Sequence, residues 1–183
     1  MSLQSTREFM LNEKMISLTD KGEIRNLNGD LLGSFRGNLI KIGNTYRIRD
    51  TDDVPILTVQ EKIISLRSAY SFYKGGEKED DKFIGKLKQK IVAFPAKYWF
   101  EDANENKVFT MKGNAMTLKF RIFKDGQEVA EIRKKLWKSL LKNTFGIKMS
   151  PDLDDDSAML ILGIVIMLHH EKEENKKRSR RRF

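Results

Sequence analysis

The chain contains no cysteine, which removes disulfides, thiolate nucleophiles and cysteine-bound zinc or iron–sulfur centres together. Proline occurs only three times, at Pro55, Pro95 and Pro151, and this argues against long disordered linkers. No Asn-x-Ser/Thr sequon is present. The lack of thiols and sequons suits a reducing, cytoplasmic compartment. The opening Met-Ser-Leu-Gln lacks the basic-then-apolar pattern of a secretion signal. Phosphate-loop motifs are missing too, since Gly29, Gly33 and Gly37 fit neither Gly-x-Gly-x-x-Gly nor Gly-Lys-Ser/Thr. His169 and His170 are the only histidines, and adjacent helical residues point in different directions. They make a poor metal pair and are read as a polar helix terminus near a barrel mouth. With no assembled nucleophile, base and oxyanion donor, the expectation is a non-enzymatic protein without a cofactor.

What is present is a repeat. Glu13-Lys14-Met15-Ile16-Ser17-Leu18 returns as Glu61-Lys62-Ile63-Ile64-Ser65-Leu66, and related starts fall at 14, 38, 62, 90, 114 and 135. The longest interval holds the polar stretch Lys74-Gly75-Gly76-Glu77-Lys78-Glu79-Asp80-Asp81, which reads as an exposed loop. Within each unit apolar and polar residues alternate. Tyr46 and Ile48 oppose Arg47 and Arg49, and Leu118, Phe120 and Ile122 oppose Lys119 and Arg121. A period of two marks a half-buried strand. Asn28-Gly29, Gly75-Gly76 and Asp125-Gly126 supply the positive φ of tight hairpins. The polar cuts 49–55 and 101–106 occupy equivalent places. Six units of two strands predict a mainly β fold of about twelve antiparallel strands, and closure into a barrel removes its edges.

So wide a barrel is not filled by its own side chains. The filling is the one long apolar run, Ala158–Leu168. Its eleven residues cover only about 17 Å as a helix, short of the roughly 20 residues a membrane span needs. Asp152, Asp154, Asp155 and Asp156 precede it and suit a helix N-terminus, with calcium chelation as the alternative reading. The run is apolar on every face, so it belongs in a core. Met159, Leu160, Ile161, Leu162, Ile164, Val165, Ile166, Met167 and Leu168 are the expected central-helix core, and no transmembrane span is expected.

The formal net charge is +9. A basic body suggests an anionic partner. Arg47, Arg49, Lys119 and Arg121 are candidate anion or lipid head-group residues, as are Lys134, Lys135 and Lys138 around Trp137. The block Lys176, Lys177, Arg178, Ser179, Arg180, Arg181 and Arg182 reads as part of a disordered basic tail over 172–183, suited to acidic lipid, a nuclear address or solubility.

The repeat, the apolar helix and the linking motif Asn143-Thr144-Phe145-Gly146-Ile147 followed by Pro151-Asp152-Leu153-Asp154 together resemble the LURP-one-related proteins. These belong to a tubby C-terminal-like superfamily that includes phospholipid scramblases. The resemblance spans about 8–171 and implies a twelve-stranded closed barrel around a central C-terminal helix. It implies a non-catalytic module docking on anionic phospholipid, phosphoinositide-like, as a tether or adaptor. A scaffold with a protein partner in stress or defence is the alternative, and nucleic-acid binding through the tail a weaker one. Scramblases carry an acidic calcium loop ahead of the Phe-Gly-Ile. Leu141 and Asn143 stand there in this chain, and Leu141 offers no side-chain oxygen.

Overall fold

The computed structural model describes residues 2–12, 21–38, 44–64, 67–90, 97–114, 119–134 and 144–180. Alternation becomes twelve strands: β1 (Glu8–Asn12), β2 (Lys21–Arg25), β3 (Leu31–Asn38), β4 (Thr45–Asp50), β5 (Pro55–Ile64), β6 (Arg67–Lys74), β7 (Phe83–Gln89), β8 (Tyr98–Asp102), β9 (Lys107–Asn114), β10 (Lys119–Lys124), β11 (Gln127–Lys134) and β12 (Thr144–Met149). Each pairs antiparallel with its neighbour in sequence. The ring closes where β1 meets β12, from Glu8 opposite Lys148 to Asn12 opposite Thr144. Five strand pairs are therefore repeat hairpins, and the sixth is assembled from the two ends of the chain.

Among the described residues a long helix, α1 (Asp155–Arg180), follows β12 and enters the ring. Every residue from Ala158 to Leu168 is buried, as the sequence predicts. The helix passes closest to β5 and β6. A Cβ on Gly163 would stand 2.5 Å from Leu57 Cδ2, so the absence of a side chain sets that approach. Facing rings such as Phe72 and Phe100, 5.3 Å apart and edge to face, fill the remaining space.

The repeat has a structural form that the apolar starts do not show. At the end where α1 enters, five hairpins carry a β-bulge next to the turn, beside Ile24, Ile48, Phe72, Phe100 and Ile122. The extra residue left over is Leu32, Ile56, Ile84, Val108 or Val129, each aliphatic. Bulges re-aim side chains at barrel rims, and here Ile56, Ile84 and Val108 line a cleft beside the first turn of α1. Three of the adjoining turns share one design. Asn26, Asp50 and Asp102 each accept two backbone N–H bonds at Oδ1, from residues two and four positions on, at 2.8–3.0 Å. The fourth residue of each turn, Gly29, Asp53 or Glu105, has positive φ.

The stretch 172–183, expected from sequence to be a disordered tail, is described as far as Arg180. Lys172 is buried, and helical backbone continues to Arg180. A helix whose first four turns are clamped in a core has already met its nucleation cost, and Glu, Lys and Arg propagate it well. The terminus reading of His169 and His170 is corrected for the same reason: both lie within α1 and are buried. Trp137, Lys135, Lys138, Leu141, Asn143, Arg181 and Arg182 lie outside the described residues.

Candidate functional site

The four aspartates before the apolar run do different jobs. Asp154 caps α1, its Oδ1 accepting the Ser157 N–H at 2.7 Å. Burial pushes its carboxyl up, but the backbone and hydroxyl donors of Ser157 outweigh that and leave it below the usual range. Asp155 accepts from Arg7, whose guanidinium also donates to the Leu153 carbonyl at 2.6 and 3.0 Å. Asp156 accepts from Lys74 at 2.8 Å. Asp152 is exposed. Among the described residues no group of three or more His, Asp or Glu is placed to hold a metal ion.

At the other end of the buried helix, polar groups face inward. Tyr46 Oη and His170 Nε2 are 2.8 Å apart. His169 stacks on Phe145 with centroids 5.4 Å apart. Burial pushes the Tyr98 hydroxyl well above its ordinary range, and the nearby Glu171 carboxylate adds to that. These groups are enclosed in the barrel and anchor α1.

The basic candidates divide in two. Arg47 and Arg49 are on β4, Lys119 and Arg121 on β10, and all four point outward. Those strands stand six steps apart in a ring of twelve, so they occupy opposite sides of the barrel. Arg47 and Arg49 are also engaged, with Gly76 O at 3.2 Å and Asp53 O at 2.6 Å. Lys134 ends β11, and Lys176, Lys177, Arg178 and Arg180 ride the last turns of α1.

Around β10 the register gathers a larger basic face that the sequence reading missed. Arg121 stands opposite Lys112, Phe123 opposite Thr110, Thr110 opposite Trp99, and Trp99 opposite Lys88. Lys86, Lys90, Lys97 and Lys107 lie on the same four strands or just beyond their ends and are exposed. Rings are interleaved with the cations: Lys112 Nζ sits 4.5 Å from the Phe123 centroid and Lys107 Nζ 5.3 Å from that of Trp99. Glu101 stands within this face. Its hydrogen bonds from Lys88 and then Trp99 hold its carboxyl below the usual range. A shallow groove of about 630 Å³ lies between Lys90, Lys97, Trp99, Lys107 and Lys112. The signal for this face was present in Lys86-Leu87-Lys88-Gln89-Lys90, where cations alternate with a buried leucine.

A model of the LURP-one-related family matches residues 7–169. The chain belongs to the LURP-one-related family. No curated protein matches it. The crystal structure of an Arabidopsis thaliana protein is similar to this LURP-one-related chain, with a TM-score of 0.62 at 13% identity, over 88% of this chain and 89% of the other. That likeness is one of fold. Among the described residues, no helix of this family member is long and apolar enough to cross a membrane. Its outward strand positions carry lysine and arginine, whereas a membrane barrel turns apolar side chains outward.

Proposed function

We propose that this LURP-one-related chain is a non-catalytic binding module whose β7–β10 face docks on an anionic phospholipid surface, with a phosphorylated head group in the groove beside Trp99. The observation that supports this is the placement of eight basic side chains, Lys86, Lys88, Lys90, Lys97, Lys107, Lys112, Lys119 and Arg121, on four adjacent strands or just beyond their ends, around the half-buried rings of Trp99 and Phe123. Each cation near an anionic bilayer contributes about 1 kcal/mol, and amphipathic aromatics prefer the head-group layer. Two cations of this face, Lys88 and Arg121, are shared with Glu101 and Glu128, and on the opposite side of the barrel the two outward arginines of β4 are tied to neighbouring loops.

Vesicle flotation tests the reading. The chain is expected to float with phosphatidylcholine vesicles containing a phosphoinositide and not with phosphatidylcholine alone, and to be released by high salt. The triple variant Lys97→Glu, Lys112→Glu and Lys119→Glu is expected to lose flotation, while Arg36→Glu with Arg47→Glu keeps it. Equal flotation with neutral vesicles overturns the proposal. So does retention of binding in the triple variant.

A further inference from the structure

The end of the barrel where α1 enters has the opposite charge. Segments 26–30, 50–54, 75–82, 102–106, 125–126 and 150–156 meet there and hold fifteen of the chain's 26 acidic side chains against two basic ones, Lys78 and Lys82, with Arg7, Arg49, Lys74 and Lys124 reaching in from adjoining segments to Asp155, Asp53, Asp156 and Asp154. A protein of net charge +9 thus has one strongly negative mouth. Clustered charge of one sign at a concave, low-dielectric site raises the local concentration of counter-ions.

The mouth is not fully packed. A cleft of about 440 Å³ opens between the first turn of α1 and strands β5, β7 and β9. Its floor is Phe109, Met159 and Leu160, and its walls include three of the bulged aliphatics, Ile56, Ile84 and Val108. Those three are only partly buried, unlike the core they pack against. Val54, on the rim, is 54% exposed. In three of the hairpins the bulge leaves an apolar side chain, Ile56, Ile84 or Val108, lining this cleft and only partly covered.

The polar side chains around the cleft are the neutral Gln4 and Ser157 and the charged Asp50, Asp102, Asp156 and Lys74. Lys74 is held by Asp156 at 2.8 and 3.0 Å, which cancels one pair. Asp50 and Asp102 remain as net negative charge. Backbone N–H donors from Asn106 and Asn104 keep Asp102 ionised below the usual carboxylate range. An apolar pocket of this size with a small number of placed polar groups has the form of a small-molecule site.

We infer that the entry mouth binds a small cationic amphiphile, its apolar part lying on Met159 and Leu160 between Ile56, Ile84 and Val108 and its ammonium on the acidic rim that carries Asp50 and Asp102. Anionic amphiphiles are excluded by the same carboxylates. The site is independent of the β7–β10 face, whose ligands are of the opposite sign.

Methionine-methyl NMR on the full chain tests this with three probes sharing one chain length, octylamine, octanol and octanoate, and with methylamine as a head group alone. Octylamine is expected to shift the Met159 methyl saturably, with affinity at least tenfold above octanol. Octanoate and methylamine are expected to leave it unmoved. Asp50→Asn with Asp102→Asn removes the charge and keeps the turns, because Asn26 already makes the same turn. In that variant octylamine is expected to fall to the level of octanol at unchanged Tm. Val108→Trp, or Ile84→Trp should the first not fold, is expected to abolish binding by filling the cleft. Octanoate binding as tightly as octylamine overturns the inference, as does undiminished octylamine affinity in the double Asn variant. A Met159 methyl unmoved by every probe does the same.

Discussion

Tyr46 on the barrel wall and His170 on the central helix share a buried hydrogen bond of 2.8 Å, with ring centroids 4.9 Å apart. The bond fixes how far α1 is threaded through the ring, because apolar side chains alone tolerate sliding and a directional polar pair does not. Tyr46→Phe is expected to cost about 1–3 kcal/mol, the range for leaving a buried polar atom without its partner. Urea unfolding measures the loss, and the His170 ring nitrogen shifts report whether the bond caused it.

Gly163 supplies a second check on threading. Alanine there gains about 1 kcal/mol of helix propensity. Its Cβ would nevertheless meet Leu57 Cδ2 at 2.5 Å and Phe72 Cε1 at 3.2 Å, and overpacking costs about 1–3 kcal/mol. Gly163→Ala is expected to be net destabilising. Leu57→Val, which removes the clashing carbon, is expected to be less harmful in the Gly163→Ala background than in the wild type. A double-mutant cycle measures that coupling.

The carboxyl of Glu101 is held low by Lys88 and Trp99, so its contribution to stability has a defined pH dependence. A depressed folded-state pKa stabilises above the unfolded value, ordinarily about 4.3, and the effect disappears as pH falls through the folded value. Glu101→Gln is expected to be less stable than wild type at neutral pH and equal to it in strong acid. Urea midpoints across that window decide the matter.

Asp154 separates capping from metal binding. Asp154→Ala is expected to lose about 1 kcal/mol, and Asp154→Asn, which still accepts the Ser157 N–H, only a fraction of that. Calcium or chelator is expected to leave the melting temperature of the wild type unchanged. A calcium-dependent rise that vanishes in both variants would favour the chelation reading.

Much of the barrel is legible in the residues. Tyr46 and Ile48 alternate with Arg47 and Arg49, Phe120 and Ile122 with Lys119 and Arg121, and each inward residue is buried. The aliphatic run could only be interior, since neither water nor a bilayer suits eleven apolar residues between charged flanks. Less visible were the turns. Asn-Leu-Asn-Gly-Asp, Asp-Thr-Asp-Asp-Val and Asp-Ala-Asn-Glu-Asn share few residues yet adopt one shape, because each begins with a side-chain oxygen that can replace a backbone acceptor. The bulges were hidden because one extra aliphatic residue does not disturb an apolar count.

The continuation of the helix past Lys172 went unread because composition speaks for solvation, whereas a helix already nucleated inside a barrel propagates through residues of good propensity.

Alternation, the apolar run and the repeat by themselves determined a closed β-barrel around a helix, since local period and hydrophobicity dictate which faces must be buried. Only the tertiary structure decided where charge accumulates. Arg47 with Arg49 and Lys119 with Arg121 are equivalent in sequence, and ring closure alone sets them on opposite sides. The acidic turns are scattered over more than a hundred residues, and the up-and-down course of the chain brings them to one mouth. Local sequence specifies what each side chain is and which way it faces, but strand order and register determine its neighbours, and a binding surface is made of neighbours.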